Sequence, residues 1–296
     1  MSGRIFAVLG VTVLLTACGP GAFVPPAGPG EPAPDASVAW TEAIAACRDV
    51  RTYSASLRLS GRSADQRLPG VGAIVALTAQ GSIFLQIVGG NRPVLTLAGT
   101  ADKATYFLHE DHRVVTARAG EIVETIVGVP ISPEQLLAIL SGCGVRQFDV
   151  QRAARFGKRL AVTTADGQVF LERRTGPWET AAAIVGHLTV QFARKDSRFP
   201  TSLRLDATPP GGPGSWINIS AIDQLDINTD LAPAVFAPPA AAASAAPMTL
   251  EELRAAGPFG RTKNSVKLEA GSQKLEVIGR LLQRPSSAVG PAYRNF

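Results

Sequence analysis

Three kinds of side chain in this sequence could do chemistry: thiols, imidazoles beside carboxylates, and hydroxyls near a base. Cysteine stands at positions 18, 47 and 143, and a thiol can take an acyl group, oxidise to a disulfide or bind a metal. Cys18 closes the box Leu15-Thr16-Ala17-Cys18, directly after an apolar run at 5–15 that follows Arg4. That run is too short to span a bilayer as a mature helix but suits the apolar region of an export signal. Small residues before a cysteine at such a point form a processing site in which the thiol receives a diacylglycerol and the chain is cut in front of it. Residues 1–17 are therefore expected to be a lipoprotein signal peptide, with Cys18 the lipidated first residue of the mature chain. The competing reading is an ordinary secretory signal that happens to contain a cysteine.

Cys47 and Cys143 remain as an even pair, and in an exported chain they are expected to form a disulfide. Closing a loop of about 96 residues would be worth roughly 4–5 kcal/mol in the chain-entropy model. The alternative is two separately buried thiols. His109-Glu110-Asp111-His112 raises the question of a metal, but a turn between two alternating segments accounts for these residues and a third well-placed ligand is not visible, so no metal is expected. The sequence has no Gly-x-Ser-x-Gly elbow, and its histidines are His109, His112 and His187. No catalytic residue, enzyme activity or cofactor is expected. Trp178 and Trp216 read as core aromatics, and Asp65, Asp102, Asp166 and Asp196 as turn residues.

The elements that must place these groups are visible in the hydropathy period. Residues 18–36 are rich in proline and glycine; proline lacks a donor and glycine is costly to fix, so this stretch is expected to be a tether reaching about 50 Å at roughly 3.1 Å per residue. A helix is predicted next, capped by Asp35 or Ser37, with Val38, Ala39, Ile44, Ala45 and Val50 apolar and Cys47 on its last turn. From Tyr53 the period becomes two. Tyr53, Ala55, Leu57 and Leu59 alternate with polar residues, as do Ile83, Leu85 and Ile87, then Leu95 and Leu97, then Tyr106 and Leu108 before a turn into 113–117. Helical spacing interrupts this meander at 120–143: Ile122, Ile126 and Val127 share a face, Pro130 breaks the run, and Ser132-Pro133 restarts it for Leu136, Leu137, Ile139 and Leu140 until Gly142. Strands are predicted again at 147–151, 159–163 and 169–173, around Leu188-Val190-Phe192, Leu203-Leu205 and Ile217-Ile219, and at Leu225-Ile227. Residues 238–296 read as an alanine- and proline-rich linker with a weakly ordered tail, in which 248–255 is at most two helical turns.

Composition limits the classes open to such a chain. Hydrophobic residues make up 46% and charged residues 18% of the 296, which excludes wholesale disorder, and no second apolar run is long enough to cross a membrane. The formal charge of +5 loses one unit with Arg4 and is scattered, so nucleic acid is not an expected partner. Membrane attachment is expected through the lipid on Cys18 alone.

The box at Cys18, the helix before the meander, the strand Tyr53-Ser-Ala-Ser-Leu-Arg-Leu-Ser-Gly61 and the insertion Ile131-Ser-Pro-Glu-Gln-Leu-Leu-Ala-Ile-Leu-Ser-Gly142 together resemble the LolA/LolB-like superfamily of envelope lipoproteins over 37–237. The resemblance implies an α+β domain in which a single curved antiparallel sheet, a half-open barrel of about ten to eleven strands, wraps over two or three helices. It also implies an apolar concavity that holds acyl chains. The loop Gly89-Gly90-Asn91-Arg92-Pro93 is polar where the lipoprotein-accepting member shows an apolar residue, while 75–79 offers an apolar run as a loop tip or a strand end. Gly19, in place of Asp, follows Cys18; by the sorting rule of enteric bacteria this implies the outer membrane, facing the periplasm. Candidate cavity residues from the alternation are Leu57, Leu59, Ile83, Leu85, Leu95, Leu97, Leu188, Val190, Leu203 and Leu205. Two functions stay open: a lipid-anchored binder of acyl chains, a lipidated protein or another amphiphile, and an interaction, assembly or stress-sensing lipoprotein with an envelope protein partner and a cavity filled by its own helices.

Overall fold

The computed structural model describes residues 23–257 except 64–65, 174 and 209–213. The expected signal, Cys18, and the tail beyond 257 lie outside the described residues. In chain order the elements are β1 (Glu31–Pro32), α1 (Ala36–Ile44), β2 (Thr52–Ser63), β3 (Gln66–Thr78), β4 (Ser82–Gly89), β5 (Arg92–Thr100), β6 (Ala104–Leu108), β7 (Arg113–Ala117), α2 (Ala119–Val127), α3 (Pro133–Leu140), β8 (Arg152–Phe156), β9 (Arg159–Thr163), β10 (Gln168–Glu172), β11 (Glu179–Val185), β12 (Leu188–Ala193), β13 (Ser202–Ala207), β14 (Ser215–Ile227), β15 (Ala246–Pro247) and α4 (Leu250–Ala256). Two short 3-10 helices, Pro233–Phe236 and Ala240–Ser244, connect β14 to β15.

Among the described residues the strands form one α+β sheet of fifteen strands, in the order β1-β8-β9-β10-β11-β12-β13-β14-β2-β3-β4-β5-β6-β7-β15. It consists of two meanders joined where β14 pairs antiparallel with β2; the pairing of β15 with β7 is parallel. The free edges are β1 and β15, so the curved sheet does not close.

Fifteen strands exceed the ten or eleven expected, for identifiable reasons. β3 does not alternate because Ala73, Ile74, Val75, Ala76 and Leu77 are all buried, and a strand covered on both faces loses the period of two. The run at 75–79 is therefore interior strand for most of its length and not a loop tip. β11, with Ala-Ala-Ala-Ile-Val, escapes notice for the same reason. Conversely, 147–151 is not a strand: the Asp166 carboxylate accepts from the backbone N–H of Arg146 and Gln147 at 2.8 and 2.9 Å, and pairing starts only at Arg152. The two strands expected around Ile219 and Leu225 are one, β14, bent by two register shifts against β2.

The first helix is shorter than its apolar pattern suggested. It ends at Ile44, Cys47 sits in the following turn with its N–H donating to Ile44 O at 3.0 Å, and Val38 is 71% exposed. Its buried side, Ala39, Trp40, Ala43 and Ile44, packs into the main core.

Both flanking segments lie against the sheet. Phe23 packs against Phe170 with tilted rings 4.9 Å apart between centroids, and β1 pairs with β8, with Pro32 at an edge where its missing donor costs nothing. Within residues 238–256, read from composition as linker and tail, β15 pairs with β7 and Met248 N–H donates to Val114 O at 2.8 Å. Thr249 and Glu252 then cap α4 reciprocally and bring Leu253 into the core.

Candidate ligand cavity

Pairing register places one apolar row across the first meander: Val75 faces Leu85, Leu85 faces Leu97 and Leu97 faces Tyr106. Side chains two residues along the same strands repeat it, with Ile87 opposite Leu95. The second meander contributes Leu205 opposite Ile217, and Leu188 opposite Ala207. Leu59, opposite Ile219, joins the two halves.

Two short helices form the other wall. Ser132 Oγ accepts from the backbone N–H of Gln135 at 3.2 Å, and Pro133 at the first helical position starts α3. α2 ends at Gly128, whose φ of 82° only glycine adopts without strain. These caps aim Val123, Ile126 and Val127 of α2, and Leu136 and Leu140 of α3, toward the sheet. A cavity of about 180 Å³ lies between them. Its lining is almost wholly aliphatic, with Tyr106 in the wall and Arg62, Arg67, Ser215 and Trp216 bordering it. Burial drives the Tyr106 phenol far above its ordinary range, so the wall stays uncharged. The volume is of the order of the roughly 150 Å³ apolar cavity known to stay dry and to take benzene. It suits a stretch of hydrocarbon, each methylene of which gains about 0.8 kcal/mol on leaving water.

A disulfide between Cys47 and Cys143, with Cα atoms 5.6 Å apart, ties the turn after α1 to the segment after α3. At Gly142 φ is 90°, and a Cβ there would meet Arg194 Nη2 at 2.6 Å and the Pro200 ring at 2.8 Å. Glycine is needed for both the conformation and the space.

Eight of the ten residues singled out by alternation border this cavity: Leu57, Leu59, Ile83, Leu85, Leu95, Leu97, Leu188 and Leu205. Val190 and Leu203 do not; they are 0% and 3% exposed within the packed core. Their cross-strand partners are Ala183 and Phe192, and a Cβ on Gly144 would come within 2.5 Å of Ala183 Cβ and 3.5 Å of the Phe192 ring. The segment after the disulfide therefore lies directly over this part of the sheet and fills it. Reading strands alone missed the helical wall and Leu68, Ile217 and Ile219, although the shared face of Ile126 and Val127 was a usable signal.

His109 and His112 sit away from the cavity. His109 Nε2 lies 2.8 Å from Thr96 Oγ1, which also accepts from Gln86 Nε2 at 3.1 Å, and both imidazoles contact the Phe107 ring, at 4.5 and 5.7 Å. Desolvation lowers the His109 pKa below its ordinary 6.5. Among the described residues no group of three or more His, Cys, Asp or Glu could hold a metal. A second hollow, about 380 Å³, lies between β7 and α4; its lining is mixed, with the Arg113–Glu252 ion pair at 3.0 Å beside Leu108, Met248 and two alanines. No described helix is long and apolar enough to cross a membrane.

No protein-family model and no curated protein matches the sequence. Solved structures do. The chain is similar to LolA-superfamily structures. One such protein, from Nitrosomonas europaea, shares 10% identity with a TM-score of 0.41, covering 69% of this chain and 97% of that one. A putative outer membrane lipoprotein-sorting protein domain from Vibrio parahaemolyticus shares 12% identity with a TM-score of 0.42, covering 68% and 95%. The lipoprotein LppX from Mycobacterium tuberculosis shares 14% identity with a TM-score of 0.30, covering 68% and 99%.

Proposed function

We propose that this protein is a non-catalytic binding protein of the bacterial envelope, anchored by a lipid on Cys18, that shields an apolar segment of an acyl chain, a lipidated protein or another amphiphile between its sheet and the α2–α3 pair. The observation that carries the reading is the aliphatic cavity of about 180 Å³ bordered by Leu57, Leu85, Leu97, Ile126 and Leu136. A hydrocarbon tail in such a space leaves water without asking the protein to desolvate any polar group. Gly19 after Cys18 supports the outer membrane, facing the periplasm, as the destination.

The experiment is a titration of the purified chain with the neutral apolar fluorophore N-phenyl-1-naphthylamine, alongside native mass spectrometry for copurified lipid. Leu85 is half-buried on the cavity wall, so Leu85→Lys should lower affinity at least tenfold while the protein stays folded, because the ammonium must be desolvated where the tail would lie. Leu188 is 1% exposed, and a charge there should cost folding instead. No fluorophore binding and no copurified lipid would overturn the reading.

The modest volume favours a second function: an assembly or stress-sensing lipoprotein whose cavity is closed by its own helices and which acts through an envelope protein partner. Native mass spectra free of lipid, with α2 fully protected from hydrogen exchange, would support it.

A further inference from the structure

We infer that the face of β8, β9 and β10 turned away from α1 docks on a bilayer surface that carries anionic lipid headgroups, with the segment 23–30 as the strap that holds it there. This rests on the lipid anchor at Cys18 and names the surface that the anchored domain presents. Pairing register separates the side chains of these strands into two rows. Leu160, Val162, Val169 and Leu171 belong to the main core, whereas Ala161, Phe170 and Ala182 form a second apolar cluster on the other face. Phe23 covers that cluster, with its ring 4.9 Å from Phe170 and the Arg159 guanidinium 5.6 Å above it. Gly30 then crosses β8 so closely that a Cβ there would meet the Phe156 ring at 2.8 Å and Ala154 Cβ at 2.9 Å. Phe23 stands five positions after Cys18, and five residues of fully extended chain span at most about 18 Å. A lipid on Cys18 therefore keeps Phe23, and the face it covers, within that reach of the membrane instead of the roughly 50 Å open to an unattached 18–36.

The chemistry of that face suits a headgroup layer. Arg152, opposite Thr163, lies in the row of Ala154 and Phe156, and Lys158 is in the turn between β8 and β9. Both are exposed, and among the described residues neither stands in an ion pair. Arg159 is the third cation of the face, offset by Glu172 at 3.9 Å. Glu31 and Arg155 face each other in the opposite row, where Asp35 holds the Arg155 guanidinium at 2.7 Å. Val24, beside Phe23, is 76% exposed, which puts an apolar side chain next to the anchor where a bilayer can cover it. Because the lipid already holds the chain at the membrane, the cations act on orientation: each one near an anionic surface favours the docked arrangement roughly fivefold.

The test uses the processed, lipidated chain in vesicles of phosphatidylcholine alone or mixed in equal parts with phosphatidylglycerol, with nitroxide-labelled headgroups as quencher. A bimane is placed either on Gln168→Cys, in the row of Thr163 and Arg152, or on Val38→Cys, 71% exposed on α1 across the sheet. In mixed vesicles position 168 should be quenched far more than position 38, and the contrast should fade in phosphatidylcholine alone and as salt rises. Arg152→Gln with Lys158→Gln should lower the docked-to-undocked ratio at least about tenfold, from two cations at roughly fivefold each. Arg152→Lys with Lys158→Arg, at unchanged charge, should keep it, which guards against a folding defect in the glutamine variant. Phe23→Ser should also lower the ratio, since the segment then releases the sheet; an unchanged ratio would overturn the strap. A contrast that survives both glutamines and high salt would overturn the assignment to anionic headgroups. Equal quenching at 168 and 38, with the lipid on Cys18 confirmed by mass spectrometry, would overturn the docking inference alone; a mature chain whose Cys18 carries no lipid would overturn the anchor and the inference with it.

Discussion

The part of the sheet under α1 and the part under α2 and α3 are built from the same alternating strands, yet one is solid and the other hollow. Beneath α1, Leu160, Val162, Val169, Leu171 and Ala183 are at most 2% exposed and bear directly on the main core. The helix meets them with Ala39 and Ala43, small enough to let its backbone approach, and anchors itself through Trp40 Nε1, which donates to Phe148 O at 2.7 Å. Across the molecule, α2 has nine residues and α3 eight. Val123, Ile126, Val127 and Leu136 remain only partly buried against the sheet, and the aliphatic cavity is what they leave uncovered. Alternation decides which side chains face inward; helix length and position decide whether anything meets them.

The largest expected effect probes the link between the two regions. Replacing Cys47 and Cys143 by serine should lower the unfolding free energy by about 2–5 kcal/mol, read from urea transitions, because it frees a long loop in the unfolded chain. A loss below about 1 kcal/mol would mean that packing alone holds α3 in place. Truncation should then separate solid from hollow: Leu171→Ala should cost about 2–5 kcal/mol, whereas Leu85→Ala, beside space that already exists, should cost about 1 kcal/mol or less. Similar losses at both sites would erase the distinction.

Enlargement gives the converse at smaller amplitude. Val190→Phe should overpack the solid region and cost about 1–3 kcal/mol, while Leu97→Phe should be nearly neutral and should weaken N-phenyl-1-naphthylamine binding by filling its space. The smallest effect concerns the outer face over the hollow region. The His109 pKa is lowered by desolvation, so the unfolded chain takes up a proton first as pH falls below 6.5. Stability is then full above that pH and declines as pH falls through the folded-state value. His109→Gln should flatten this part of the pH profile, and an unchanged slope would place its origin elsewhere.

How much of this was legible depends on local signals. Ser132-Pro133 marks the start of α3 because capping and proline geometry need only neighbouring residues. Strands with one polar face declare themselves, as at Leu57-Leu59 and Leu188-Val190. β3 and β11 do not, since burial on both faces erases the pattern. The capping box at Thr249-Glu252 was present in the sequence, but alanine and proline before it masked a segment whose order depends on the edge of β7.

By itself the sequence determined the class of fold, the inward set of side chains, the candidate thiol pair and the box at Cys18, all of which rest on short-range spacing or on counting. Only the tertiary structure decided that Leu205 borders a cavity while Val190, its cross-strand neighbour, is sealed. That outcome depends on where the chain after Cys143 crosses the sheet, and distances between residues remote in sequence are set by packing and pairing that no local pattern encodes.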